Sequence, residues 1–362
     1  NFEFQKKTQF RSNVRYYTNT MDILSFIKNH KKNNHVYFIA EACDNHFGDL
    51  KRALKMVRLA KECGADAIKF QHHLPDEEML KKVPKSSNFD LSLYEFLKKY
   101  SLKISDHIKI NSFCKKMNIQ YLCTPFSLKA ARELIININI KAFKIGSGEL
   151  TDLPSLREIS KFKKPMIIST GMSVLKEIDN TVKLVSKNTK VLIMNCLSEY
   201  PPDYKDLNLG FIKKLKKKYP NNIIGHSDHT GEIYSSIAAV SLGARIIEKH
   251  VTLNKKFKGP DQKVSIDFKE LKDLINGIRL LEGSFGSIKK INIKEKPIRS
   301  WATRSIVSIK DIKKGEVLSR ENIWTKRPGT GIPAKEFDKI LNKKFLKNIK
   351  VNSLIKYSDI KK

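Results

Sequence analysis

Two histidines offer the clearest chemistry in this chain. His229 sits in Ser227-Asp228-His229-Thr230, and His250 ends Glu248-Lys249-His250. Each imidazole follows a short apolar run, 222–225 and 244–247, that reads as a buried strand, with an amphipathic helix over 232–242 between them. In a parallel α/β barrel the carboxyl ends of neighbouring strands converge on one mouth, where active sites of that architecture lie. Two neutral imidazoles placed there can hold a divalent metal and leave coordination positions open for substrate. Each histidine could instead merely cap its strand. The repeated placement, with Asp228 and Glu248 beside the pair, favours a site.

The elements needed to position such a pair recur along the chain. Strand patterns at 36–41, 65–70, 119–123, 142–145, 166–169 and 191–195, with the two histidine-bearing runs, alternate with helical periodicity at 50–63, 104–117, 129–136, 174–187 and 268–281. Strands alternating with helices argue for a parallel sheet, and a closed (β/α)8 TIM barrel is the economical α/β fold. The segment 72–101 exceeds an ordinary βα loop and reads as a functional excursion over the mouth. Residues 1–33 read as a basic N-terminal extension, 34–285 as the barrel, 286–299 as a linker, and 300–362 as a small, mostly β domain. Its strands are expected at 304–309, 317–318 and 354–357. With so few residues it should have little core of its own and dock on the barrel or on a second subunit.

Polar residues follow every strand: Glu41 and Asn45-His46; Lys69 and Gln71; Thr124; Lys144, Ser147 and Glu149; Ser169-Thr170-Gly171; Tyr200; and the two histidine motifs. Lysines, hydroxyls and glycine-bounded turns suit a phosphate-bearing anion, because they supply point charges and closely approaching backbone N–H groups. Packing alone does not demand a polar residue at every strand end.

Composition narrows the class. The chain carries 70 Lys and Arg against 37 Asp and Glu, a formal charge of +33. Lysines such as Lys213, Lys214 and Lys216 to Lys218 lie along helices rather than in one arm interleaved with aromatics, so solvated helix faces are expected and no nucleic-acid partner. No apolar stretch is long enough to span a bilayer and the start is polar, which reads as a cytoplasmic protein without membrane attachment. Five widely spaced cysteines, without a Cys-x-x-Cys pair, read as free buried thiols.

Together, Glu41-Ala42-Cys43-Asp44-Asn45-His46, Lys69-Phe70-Gln71, Thr124-Pro125-Phe126, Lys144-Ile145-Gly146-Ser147-Gly148-Glu149, Ser169-Thr170-Gly171-Met172, the two histidine motifs and Lys326-Arg327-Pro328-Gly329-Thr330-Gly331 resemble the sialic acid synthase family. The resemblance runs in order from about residue 36 to the end. It implies a barrel that condenses phosphoenolpyruvate with N-acetylmannosamine or a related acylated sugar, followed by an antifreeze-like (SAF) domain, in a domain-swapped homodimer. It also implies that His229 and His250 ligate Mn2+ or Mg2+. Lys69, Thr124, Lys144, Ser147, Ser169 and Ser227 would hold phosphoenolpyruvate. Glu41, Gln71, Glu149, Tyr200 and Asp261 would face the sugar or assist proton transfer, Glu248 would stand with the catalytic histidines, and Arg327 would close over the sugar of the other subunit. Cys43-Asp44 departs from the family's usual small or apolar residues before Asn-His. Relatives acting on legionaminic or pseudaminic acid precursors, or on N-acetylmannosamine 6-phosphate, share these motifs. The enzymatic rival is a Schiff-base aldolase using Lys144 as its nucleophilic amine. The non-enzymatic rival is a nucleic-acid-binding protein, resting on charge alone.

Overall fold

The structure, a computed structural model, describes residues 21–82 and 91–361. Eight parallel strands close a barrel in sequence order: β1 Tyr37–Glu41, β2 Ala67–His72, β3 Gln120–Pro125, β4 Phe143–Ile145, β5 Met166–Ser169, β6 Val191–Cys196, β7 Ile223–Asp228 and β8 Ile246–His250. Every expected barrel strand is present, and the helices Leu50–Cys63 and Ile104–Met117 have the expected bounds. Strands β7 and β8 run past their apolar stretches, because ladder pairing carries Asp228, Lys249 and His250 into the sheet.

Side chains alternate across each strand. One face carries Tyr37, Ile39, Ala67, Leu122, Ala142, Ile167, Leu192, Met194, Ile223 and Ile246, which fill the barrel interior as one buried cluster. The other face, with Phe38, Ala40, Ile68, Phe70, Cys123, Phe143, Ile168, Ile193 and Ile247, packs beneath the surrounding helices. Moving two residues further along most strands leads from the apolar interior to a polar layer at the carboxyl end: Ile39 to Glu41, Ala67 to Lys69, Leu122 to Thr124, Ala142 to Lys144, Ile167 to Ser169, Met194 to Cys196 and Ile246 to Glu248. Period-two geometry thus aims the strand-end chemistry at one mouth.

The expectation for residues 1–33 changes in detail. Residues 1–20 lie outside the described residues, but helix Ile23–Asn29 joins the barrel unit, with Ile23 and Phe26 fully buried among Tyr37, Ile39 and Ile246. The excursion over 72–101 contains helices Pro75–Glu78 and Leu93–Tyr100, with 83–90 outside the described residues. Among the described residues no helix is long and apolar enough to cross a membrane.

A second compact unit spans Gly286–Lys362. Helix Glu295–Ala302 occupies part of the stretch expected to be a linker. Strands β9 Ser305–Ser308 and β10 Ile323–Lys326 pair antiparallel, while Val317 and Leu354 make isolated bridges to Lys344 and Val307. Strand β10 was not expected, because Ile323 is the one buried residue of its four and Trp324 and Lys326 are exposed. The unit also corrects the expectation of a poor core. Ile306, Ile312, Leu318, Ile323, Ile332, Ile340, Phe345, Ile349, Ile355 and Ile360 bury one another, since β-branched isoleucines spread over turns and bridges close a core without long strands.

Candidate active site

At the carboxyl ends of the strands a cavity of about 600 Å³ opens. Its floor is a lattice of opposite charges. Lys69 Nζ pairs with Glu41 Oε2 at 2.8 Å and Glu248 Oε1 at 3.7 Å, and it donates to Thr124 Oγ1 at 3.0 Å. Lys144 Nζ lies 3.5 Å from the same Glu248 oxygen and donates to Ser169 Oγ at 2.7 Å. Ser227 Oγ donates to Glu248 at 3.1 Å. One carboxylate therefore spaces two ammonium groups, and hydroxyls fill the gaps.

The two floor carboxylates diverge electrostatically. Burial lifts Glu41 to about 7, with the Glu248 charge adding to the effect and Lys69 opposing it. Burial also acts upward on Glu248, but Lys144 and Lys69 outweigh it and hold this carboxyl below its usual range. For Lys69, burial disfavours the ammonium while Glu248 and Glu41 more than compensate, so the cation is favoured. The floor thus sets two lysines against one carboxylate whose ionised form is favoured and one carboxyl raised to about 7. That balance leaves room for an anion.

Beside the floor stand the paired histidines, their ring centroids 5.2 Å apart and edge to face. His229 Nδ1 lies 2.7 Å from the Leu197 carbonyl, which can only accept, so Nδ1 carries the hydrogen. Its Nε2 meets the Tyr200 hydroxyl at 3.1 Å, under a stacked Tyr200 ring. Neither ring nitrogen of His250 has a hydrogen-bond partner among the described residues, and its Nδ1 is buried. The compact donor group here is Cys43, His250 and Asp261, whose ligand atoms lie within 4.8 Å of one another. His229, expected as the second ligand, stands beside that group rather than within it.

The outer wall is acidic and apolar. His73 stacks on Phe126 at 4.2 Å and bridges Glu78 Oε1 and Gln71 Oε1, each at 3.0 Å, while Gln71 Nε2 donates to Glu41 Oε1 at 2.9 Å. Burial opposes protonation of His73, but Glu78 and Asp44 prevail and raise its pKa; the ring ties Glu78 to the Gln71 amide, whose Nε2 faces Glu41. Asp44, Glu78, Glu149 and Asp261 line this side with Met79, Leu93 and Leu97. Ser147 is held by the Gly171 N–H at 3.1 Å, and a side chain at Gly171 would place its Cβ 2.2 Å from Ser198 Oγ.

Fourteen of the expected site residues, from Glu41 to Asp261, line this one cavity. Arg327 belongs to the other unit, where its Nε donates to the Ala302 carbonyl at 2.9 Å and its guanidinium lies over Trp301. Gly329 there donates its N–H to the Ser300 carbonyl, and a Cβ would strike Thr303 Oγ1 at 1.8 Å. Asp228, read as support for the histidine pair, instead turns outward to Lys249, Ser235 and Ser236. Sequence reasoning passed over Cys43, His73, Glu78 and Cys196. Cys43 and Cys196 were visible as thiols next to strand ends; His73 and Glu78 lay in the excursion expected over the mouth, but no spacing singled them out, because only its folding brings them to Gln71 and Asp44. Burial opposes ionisation of Cys196, yet His229, Ser147 and Lys144 bring its thiol down to about 7.

Comparison with known proteins agrees with this geometry. The NeuB family profile matches residues 56–290 and the SAF domain profile residues 303–361. An uncharacterized protein of Methanocaldococcus jannaschii is 40% identical over 91% of this chain and 96% of its own. The N,N'-diacetyllegionaminic acid synthase of Campylobacter jejuni is 40% identical over 88% of this chain and 98% of its own. Among solved structures, the N-acetylneuraminic acid synthetase of Leptospira borgpetersenii, in complex with citrate, is 30% identical over 74% of this chain and 90% of that one, with a TM-score of 0.66.

Proposed function

This chain belongs to the NeuB family, and on that premise we propose that it condenses phosphoenolpyruvate with an unphosphorylated, N-acetylated aldose to give a nonulosonic acid and phosphate. It is a carbon–carbon bond-forming transferase. The observation that carries the reading is the floor: Lys69 and Lys144 share Glu248 and are ringed by Thr124, Ser169 and Ser227, with Ser147 nearby. Phosphoenolpyruvate brings a phosphate and a carboxylate, which two fixed ammoniums and a set of hydroxyls compensate. The same engagement argues against the Schiff-base rival, since Lys144 Nζ is committed to Ser169 and Glu248.

The wall favours an uncharged sugar. Lys69 and Lys144 are the only lysine or arginine residues lining the cavity among the described residues, and Asp44, Glu78, Glu149 and Asp261 occupy the outer side, where a sugar phosphate would meet like charge. Met79, Leu93, Leu97 and Phe126 offer apolar surface for acetamido or deoxy methyl groups. A diacetamido sugar, in keeping with the N,N'-diacetyl product in the Campylobacter relative's name, and N-acetylmannosamine suit this wall better than a sugar 6-phosphate.

The residues present fit a divalent metal, because His250 keeps an unpartnered buried nitrogen beside two further donors. His250, with His229 beside it, would hold the ion, with Mn2+ or Mg2+ as the expected occupants. When bound, it would supply Lewis-acid polarisation of the sugar's aldehyde oxygen, the centre that carbon 3 of phosphoenolpyruvate attacks. Lys69 and Lys144 hold the phosphate while Glu41, oriented by Gln71 and His73, positions the water that adds to carbon 2. The tetrahedral product then breaks its carbon–oxygen bond, and the lysines neutralise the departing phosphate. Arg327, from the SAF unit of a second copy, covers the sugar in a homodimer. A cytoplasmic location suits five unpaired cysteines. Phosphate release from phosphoenolpyruvate against a panel of N-acetylmannosamine, its 6-phosphate and 2,4-diacetamido sugars tests the reading. Release dependent on an unphosphorylated sugar is expected, and no sugar-dependent release with any member overturns it.

A further inference from the structure

We propose that Cys43 is a metal ligand, and that its thiolate, the His250 imidazole and the Asp261 carboxylate form a mixed sulfur, nitrogen and oxygen site for a borderline divalent ion such as zinc, iron(II) or cobalt(II). The inference builds on the metal-dependent reading above but changes the chemistry of the site. Two histidines alone describe a site open to manganese or magnesium; a thiolate selects softer ions.

Three observations carry it. First, the donor atoms of Cys43, His250 and Asp261 lie within 4.8 Å of one another, close enough for all three to reach one ion. Second, His250 is buried with no hydrogen-bond partner on either ring nitrogen among the described residues, an arrangement that costs free energy unless something else meets the lone pair. Third, the two loops that bring Cys43 and Asp261 to His250 are tied together. Asn45 Nδ2 donates to the Val251 carbonyl and to Ser265 Oγ, each at 2.9 Å. Gln262 Nε2 donates to Asn45 Oδ1 at 2.6 Å, Thr252 donates to Gln262 Oε1 at 2.9 Å, and Ser265 Oγ donates to the Asp261 carbonyl at 2.6 Å. This clamp fixes the β1 loop against the loop after β8. Within it Cys43 is fully buried and held at φ 38°, a left-handed conformation that a residue with a Cβ rarely adopts. The backbone bears that conformation and brings the thiol within reach of both Asp261 and His250.

Charge balances simply. Without an ion, burial keeps the proton on the Cys43 sulfur. When a divalent ion enters, that proton leaves to solvent, and bonds form to sulfur, nitrogen and oxygen. One thiolate and one carboxylate then neutralise the ion's two charges. Three protein ligands leave positions open towards the cavity, as a catalytic site requires.

The test uses the full-length protein, stripped by chelator and titrated with cobalt(II) alone. A near-ultraviolet thiolate-to-cobalt charge-transfer absorption is expected. It should vanish in Cys43→Ser and Cys43→Ala and persist in the control Cys63→Ser, with cobalt affinity falling at least about 10- to 100-fold in the Cys43 variants. A second measurement covers the case in which those variants fail to fold: in the wild-type protein zinc should slow the alkylation that reaches the buried Cys43 through opening of its site, and leave that of Cys63 unchanged, read by peptide mass spectrometry. Cobalt bound without the absorption, an absorption that survives both Cys43 variants, no cobalt binding, or alkylation of Cys43 at the same rate with and without zinc would each overturn the proposal. A cobalt site that forms while no sugar releases phosphate from phosphoenolpyruvate would leave Cys43 a ligand and sink the synthase reading instead.

Discussion

Asp228 and Lys249 are ladder partners on β7 and β8, and their side chains meet 3.2 Å apart without solvent exposure on the helix side of the barrel wall. Their chain neighbours Ser227, His229, Glu248 and His250 line the cavity on the other side. Asp228 also accepts hydrogen bonds from Ser235, Ser236 and Thr230, and Lys249 donates to Thr230. The pair pins the two strands that carry the histidines to the helix between them.

Removing one partner leaves the other charge buried and uncompensated. Asp228→Asn or Lys249→Met should therefore cost about 3–5 kcal/mol of stability. The double variant Asp228→Leu with Lys249→Met should recover much of that loss. Urea denaturation followed by circular dichroism measures both; single variants within about 0.5 kcal/mol of wild type would show that the pair is not what holds the strands.

Loss of either floor ammonium should weaken phosphoenolpyruvate binding. Lys69→Ala and Lys144→Ala each leave a multiply charged ligand short of one buried partner, at a cost of about 2–5 kcal/mol. Titration calorimetry with phosphoenolpyruvate reads this directly. Unchanged affinity in both variants would remove the anion from the floor.

The pH dependence follows from Glu41. As the group that orients water it must be ionised, so kcat/KM should rise with pH through about 7, and Glu41→Gln should lose that limb together with most of the activity. Stability should move the other way. A carboxyl raised in the folded state gives its full contribution below the ordinary glutamate pKa and loses it as pH climbs through about 7. Glu41→Gln should thus gain stability relative to wild type between pH 5 and pH 8, and a constant difference across that range in thermal melts would contradict the assignment.

Metal dependence through the histidines is separable from binding of phosphoenolpyruvate. His229→Ala should lose most of the turnover at saturating metal while its phosphoenolpyruvate affinity changes far less than that of Lys144→Ala. Turnover that survives thorough chelation would refute the dependence.

The SAF unit has its own core, so it should fold when expressed alone, and truncation near Lys296 should leave a folded but inactive barrel. Mixing inactive Arg327→Ala and His229→Ala proteins should restore part of the activity after subunit exchange, because one barrel of the mixed dimer then has intact histidines and an intact Arg327. A monomer by light scattering, or no recovery after verified exchange, would place Arg327 within its own chain or outside the site.

Much of the barrel was legible in the sequence, because period-two and helical patterns depend only on neighbours along the chain. β5 Met166–Ser169 and helix Leu50–Cys63 have the bounds expected from sequence. So were the strand-end residues Glu41, Lys69, Thr124, Lys144, Ser169 and Glu248, since each stands two positions beyond an interior apolar side chain. The SAF core was not, because its isoleucines meet through turns and single bridges that leave no periodic trace.

Sequence by itself determined which of most strands' last residues reach the mouth, because alternation along a strand is a local property. Only tertiary structure decided how they divide the work there. Asp228 and Glu248 looked alike as acids beside a histidine, yet the twist and register of β7 and β8 send one to the helices and the other to the lysines. Cys43 looked like one more buried thiol until the loop after β8 brought Asp261 against it, and His73 reached Gln71 only once the excursion folded back. Ion pairs, raised carboxyls and ligand sets depend on distances across the barrel, which no spacing along the chain encodes.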